Sequence, residues 1–100
     1  MPKFIIRRDL PGATEAEVDA AALRALACVA EMDNRVVWLR SYWDRVAGHV
    51  RCVYEAASEA EIREHAELAR IPCDEVHEVT ELGPGDYLDE ATAQVFSTAQ

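Results

Sequence analysis

The sequence predicts an α+β fold of the ferredoxin-like class, in which a four-stranded antiparallel sheet carries two helices on one face. The chain has 100 residues, half of them apolar, which suffices for one domain with its own core. Strand-like and helix-like segments follow one another in the order β-α-β-β-α-β, two split strand-helix-strand halves. We expect this domain to span residues 1–82, and residues 83–100 to form a C-terminal tail or short helix.

The first half of the pattern is one strand followed by one long helix. Residues 3–8 are rich in strand-forming side chains and end before a Pro-Gly turn. Thr14 and Glu17 then have the spacing of a capping box, and apolar residues recur at steps of three and four. This predicts a helix over residues 15–32, which ends at an Asp-Asn pair.

A hairpin follows the first helix. Residues 36–43 are dense in β-branched and aromatic side chains, residues 44–48 form a polar turn, and residues 49–55 again favour a strand. Large apolar side chains stand at both parities of the first of these strands, so we expect the sheet face away from the helices to be covered. A second copy of the chain, giving a homodimer, is the favoured cover, and a C-terminal segment folded back over that face is the alternative.

A second helix and a fourth strand complete the pattern. Ser58 and Glu61 repeat the capping-box spacing, and one apolar face then continues over residues 59–70, with a proline just beyond. Residues 75–80 predict the last strand, which ends at a Gly-Pro-Gly segment. Beyond it we expect a short helix over residues 89–96 or a frayed tail.

The charge of the chain excludes some classes of partner. Ten Lys and Arg against nineteen Asp and Glu give a formal net charge of −9, which repels nucleic acid. No apolar run has the length of about 20 residues that a membrane helix needs, and the N-terminus has no signal-peptide pattern. We therefore expect a cytoplasmic protein that binds neither nucleic acid nor membranes.

The candidate metal ligands are histidines and acidic residues, since the sequence has three histidines among many acids. His65 lies in the second predicted helix with Glu61 one turn before it, so the two side chains project together. His77 lies on the last strand among acidic residues, on the same side as Glu75. We take His65, Glu61 and His77 as candidate ligands of a divalent transition metal, which two subunits would complete. A buried, hydrogen-bonded histidine and a solvated acidic edge are the competing interpretations.

A pocket between sheet and helices is the alternative kind of site. Its predicted aromatic and thiol lining is Trp38, Tyr42, Trp43 and Cys52. His65 and Tyr54 would act there as a general acid-base pair, and Arg40 would anchor a small organic anion. A buried guanidinium needs an anionic partner, and an acid of the protein would satisfy Arg40 as well as an anionic ligand would. A tyrosine whose ring lies in the core with its hydroxyl near the rim is the simpler interpretation of Tyr54.

Five segments of the chain form a recognisable pattern: Met1–Gly12, Trp38–Tyr42, Cys52–Ala56, Ile62–Ala66 and Ile71–Pro72. In this order they resemble a known family of small bacterial proteins of uncharacterised function, typified by a streptomycete nickel-binding protein. The resemblance covers about residues 1–80. It implies a ferredoxin-like subunit, a homodimer, and binding of nickel or another divalent metal.

The chain departs from the pattern of that family at two places. Arg40 stands before the Ser-Tyr pair where the family commonly has a histidine, and a guanidinium does not bind a metal cation. Trp43 replaces a small aliphatic residue in a longer hairpin. The sequence therefore predicts three functions, in order of preference. The first is a nickel-binding module, the second is a cofactor-free enzyme or binder of a small organic molecule, and the third is a structural or regulatory dimer.

Overall fold

The computed structural model describes residues 1–90, and its strands and helices follow the predicted order. The four strands and two helices predicted for the domain are all present, and their ends differ from the prediction by at most one residue. The elements are β1 (Lys3–Asp9), α1 (Glu15–Glu31), β2 (Val36–Asp44), β3 (His49–Ala56), α2 (Glu59–Ala69) and β4 (Glu75–Val79), followed by a short 3-10 turn (Pro84–Asp86).

The four strands form one antiparallel sheet in the order β2-β3-β1-β4. The two central strands, β1 and β3, bury alternate residues on the side that the helices cover, because side chains alternate across a strand. The main core cluster lies on that side and includes Phe4, Ile6, Tyr54 and Ile62. The predicted ferredoxin-like α+β class is confirmed.

A β-bulge in β2 changes which of its side chains face the helices. Trp38 pairs with Tyr54 and Arg40 with Val53, so Leu39 is the extra residue. Beyond it the parity is reversed: Ser41 and Trp43 share the side of Trp38, as their pairing with the buried residues Cys52 and Val50 requires. The remaining residues of β2, Arg40 and Tyr42, face the opposite side, which we call the open face of the sheet.

The two predicted capping boxes have different outcomes. At the start of α1, the Thr14 hydroxyl accepts from the amide of Glu17 at 3.2 Å, and a Glu17 carboxylate oxygen accepts from the amide of Thr14 at 3.1 Å. At the start of α2, Ser58 makes no side-chain capping bond. The prediction of a second box was therefore wrong; Glu61 is oriented instead toward Arg35, 3.9 Å from its guanidinium.

The segment after β4 passes along the open face. Glu81 lies 3.5 Å from the Lys3 ammonium on β1 and 3.3 Å from the Arg40 guanidinium on β2, so its carboxylate bridges side chains of these two strands. Residues 88–90 are helical, and the rest of the helix predicted over residues 89–96 lies outside the described residues. Within residues 1–90, no helix is both long and apolar enough to cross a bilayer.

Candidate functional site

A cavity of about 70 Å³ lies between α1 and the centre of the sheet. The helix contributes small side chains, since an alanine-rich stretch of α1 faces the strands. The floor of the cavity is formed by β1, β2 and β3. These strands contribute two aromatic rings, one each from two strands, and three polar groups. The lining residues are Arg8, Leu10, Val18, Ala21, Ala22, Ala25, Trp38, Ser41, Val50, Cys52, Tyr54 and Ile71.

Arg8 is the charged group of this cavity, and it is only 4% exposed. Its Nη1 donates to the carbonyl oxygen of Pro72 at 2.6 Å, and the guanidinium carbon lies 5.7 Å from the centroid of the Tyr54 ring. Its Nη2 is buried and has no hydrogen-bond partner. Because an unpaired buried donor on a charged group is costly, this atom marks where a ligand would gain most.

Two buried aromatic side chains, Tyr54 and His65, pack side by side above β3, with ring centroids 5.3 Å apart. Burial raises the pKa of Tyr54 to about 12, although the positive charge of Arg8 opposes the shift. The His65 Nε2 lies 2.8 Å from the carbonyl oxygen of Ala25; since a carbonyl only accepts, Nε2 carries the hydrogen. Burial lowers the pKa of His65, so the imidazole is neutral at pH 7.

A short chain of hydrogen bonds fixes the β2 wall of the cavity. The indole Nε1 of Trp38 donates to the Ser41 hydroxyl oxygen at 2.8 Å. The same hydroxyl donates to the Cys52 sulfur at 3.0 Å. These bonds depend on the bulge at Leu39, because only the changed parity brings Ser41 to the side of Trp38.

The residues predicted to line a pocket divide into two groups. Trp38, Cys52 and Tyr54 line the cavity. Trp43 faces the core but lies beyond the cavity, with the Arg45 guanidinium 4.1 Å above its ring. Tyr42 is 64% exposed and lies on the open face, because the bulge separates it from Trp38.

Arg40 does not have the environment that its apolar strand suggested. It is half-exposed on the open face, where its guanidinium donates to a Glu81 carboxylate oxygen at 3.3 Å. That pairing, together with the one from Lys3, lowers the pKa of Glu81. The expectation that Arg40 is buried and anchors an anion in the pocket is therefore corrected: Arg8 is the buried arginine, and a carboxylate of the protein satisfies Arg40.

The three candidate metal ligands do not converge in one subunit. His65 is buried between the helices and the sheet, whereas Glu61 points to Arg35 at the surface. His77 lies on the open face, opposite Ile5 of β1, so the sheet separates it from His65. In the part of the chain that the structure describes, no group of three or more His, Cys, Asp or Glu side chains is arranged to hold a metal ion.

His77 has an acidic environment at the β1–β4 end of the open face. Its Nε2 lies 3.5 Å from one Glu75 carboxylate oxygen, and the other oxygen pairs with the Arg7 guanidinium at 2.9 Å. Arg7 also pairs with Asp9 at 3.1 Å. Imidazole and carboxylate together suit nickel and similar ions, and this pair supplies two ligands.

The comparisons with known proteins give one family and one solved structure. The model of a family described as "Nickel responsive protein SCO4226-like" matches residues 4–79. The chain belongs to this family. The crystal structure of SCO4226 from Streptomyces coelicolor A3(2) is similar, with 27% identity and a TM-score of 0.70 over 81% of this chain and 99% of that one. No curated protein matches the chain.

Two polar cavity residues of this SCO4226-like chain were missed in the sequence, and one of them had a signal there. Arg8 alternates with Phe4 and Ile6, so strand periodicity already places it on the buried side of β1. Ser41 gave no such signal, because strict alternation from Trp38 assigns it to the open face. Only the bulge, which strand periodicity does not reveal, brings it inward.

Proposed function

We propose that this protein binds a divalent transition metal ion, nickel in the first place, at a site that two copies of the chain complete. The family description, which names a nickel-responsive protein, indicates the ion. The observation that carries the proposal is the exposed pair of His77 and Glu75 on the open face, a nitrogen and an oxygen ligand at 3.5 Å. It retains His77 of the predicted ligands and replaces His65 and Glu61 with Glu75.

The surroundings of the pair favour a cation. Asp9, Asp74 and Glu75 bring three carboxylates to this end of the sheet, and Arg7 is the basic group that pairs with two of them. A metal ion bound by Glu75 would take over its pairing with Arg7, and the guanidinium would keep Asp9 as its partner. The residual negative charge raises the local concentration of cations.

The need for a second copy follows from ligand number. His77 and Glu75 offer two side-chain ligands, whereas a tightly bound transition metal takes about four or more. A twofold axis beside His77 would bring the same pair from a second subunit and supply four. The predicted homodimer through the open face and the metal site are then one arrangement, with one metal ion for two chains.

Isothermal titration calorimetry with nickel chloride tests the proposal on the full chain. We expect saturable binding of one ion per two chains, and loss of affinity by about tenfold or more in His77→Ala and in Glu75→Ala. Glu78→Ala is the matched control, because Glu78 is exposed on the same strand but at the other parity. Its affinity should stay within about twofold of the wild type.

Two results would refute the proposal. One is the absence of saturable nickel binding by the wild-type chain. The other is binding that His77→Ala and Glu78→Ala weaken equally, since a general effect of acidic charge and not a defined site would then explain it.

A further inference from the structure

The cavity beneath α1 is lined by Arg8, whose positive charge is not paired with any carboxylate within residues 1–90. Arg8 is buried on the helix side of the sheet, and its Nη1 donates to a backbone carbonyl. Nη2, with two donor hydrogens, has no partner. A buried cation with free donors is stabilised by an anion, and a singly charged anion balances it.

The walls of the cavity indicate what is attached to that charge. The small side chains of Ala21, Ala22 and Ala25 line the cavity from α1, and Trp38 lines it from β2. A volume of about 70 Å³ is several times the ~10–15 Å³ that one water needs. The space therefore suits a ligand of roughly five or six non-hydrogen atoms, most of them apolar.

We propose that this cavity binds a small organic monocarboxylate, with its carboxylate on Arg8 Nη2 and its short hydrocarbon tail between the alanines of α1 and Trp38. A carboxylate fits the available donors better than a phosphate, because a second negative charge would have no partner in an otherwise apolar space. The site lies on the helix side of the sheet, whereas His77 lies on the open face, so this proposal and the metal proposal are independent.

Sodium butyrate and butan-1-ol are the matched probes, since they share a chain length and differ in charge. Each is titrated into the ¹⁵N-labelled full chain while the Trp38 indole N–H signal is followed by NMR. We expect a saturable shift with butyrate and binding of the alcohol that is weaker by about tenfold or more, because the charged hydrogen bond is missing. Acetate, which lacks most of the tail, should bind more weakly than butyrate.

Two variants test separately the role of the Arg8 charge and the role of the cavity volume. Arg8→Gln should weaken butyrate binding by about tenfold or more, whereas Arg51→Gln, at an exposed position of β3, should leave it within about twofold. Because loss of Arg8 also frees the carbonyl of Pro72, a second variant keeps the arginine: Ala22→Leu fills the cavity from α1 and should abolish binding. Ala27→Leu, at an exposed position of the same helix, is its control.

Three results would overturn the inference. Equal binding of butyrate and butan-1-ol would show an apolar cavity without a role for Arg8. No saturable shift with either probe would show that water alone occupies the space. Binding of butyrate that Ala22→Leu leaves unchanged would place the ligand elsewhere on the chain.

Discussion

His65 is held in its neutral form by its surroundings, and this gives the stability of the fold a dependence on pH. The side chain is 1% exposed; burial lowers its pKa, the carbonyl of Ala25 opposes that shift, and the positive charge of Arg8 adds to it. In the unfolded chain the same imidazole titrates near its ordinary pKa of 6.5. The unfolded state therefore takes up a proton first as the pH falls, and protonation favours unfolding.

We predict that the free energy of unfolding falls between pH 7.5 and pH 5.5. The loss starts near pH 6.5, where the unfolded chain takes up its proton, and grows by at most about 1.4 kcal/mol per pH unit until the pH reaches the lowered pKa of the folded state. Urea denaturation at both pH values measures it. His65→Gln should reduce the pH dependence, whereas the exposed His77→Gln should retain it; equal pH dependence in all three proteins would contradict the role of His65.

Arg8 and Arg40 show what single residues in a sequence can and cannot reveal. Alternation with Phe4 and Ile6 predicts the buried side for Arg8. Strict alternation groups Arg40 with Trp38 in the same way, and there it fails because of the bulge. The decisive facts are long-range: Glu81 reaches Arg40 from beyond β4, and Pro72 presents its carbonyl to Arg8. Such partners, 41 and 64 residues away in sequence, are set by the packing of the whole chain.

The two helix starts make a matched test at the level of secondary-structure elements. Thr14→Ala removes a bonded cap and should lower the free energy of unfolding by about 1 kcal/mol. Ser58→Ala removes a hydroxyl without a capping bond and should lower it by less than about 0.5 kcal/mol. Thermal or urea denaturation of the two variants measures both changes. An equal loss of unfolding free energy would show that the Ser58 hydroxyl does cap α2 in solution.

The elements were predictable because their signals are local. Periodicity, turn residues and the proline after α2 lie within each segment, so the strands and helices could be assigned to within one residue. The faces of β2 were not predictable in the same way. The bulge at Leu39 is set by pairing with β3, and assigning the faces by strict alternation grouped Tyr42 with Trp38 instead of with the open face.

Pairing of two copies is the prediction that belongs to the whole molecule. Ile5 lies on the open face beside His77, where a second subunit would cover it. Ile5→Lys should make the chain monomeric in sedimentation-velocity experiments and reduce its nickel binding, because a lysine ammonium is poorly tolerated in an apolar contact. Leu26→Lys, at a residue 52% exposed on α1, should leave the assembly unchanged. A monomeric wild-type chain would contradict the prediction.

The segment after β4 determines how much of the open face remains for such a contact. Glu81 pairs with Lys3 and Arg40 and so holds that segment against part of the open face. This part is therefore covered by the chain itself, whereas a second copy is proposed to cover the part near His77. Glu81 thus marks the border between the two.

The extra residue in β2 also constrains how this chain can vary in length. Loss of Leu39 alone would remove the bulge and leave Arg40 opposite Val53 and Ser41 opposite Cys52. Loss of a second residue between Trp38 and Trp43 would shift the register, which would bring Tyr42 beside Cys52 and turn Ser41 and Trp43 to the open face. Alignments of relatives should therefore show their gaps in the turn at residues 45–48, and at most one missing residue between the two tryptophan positions.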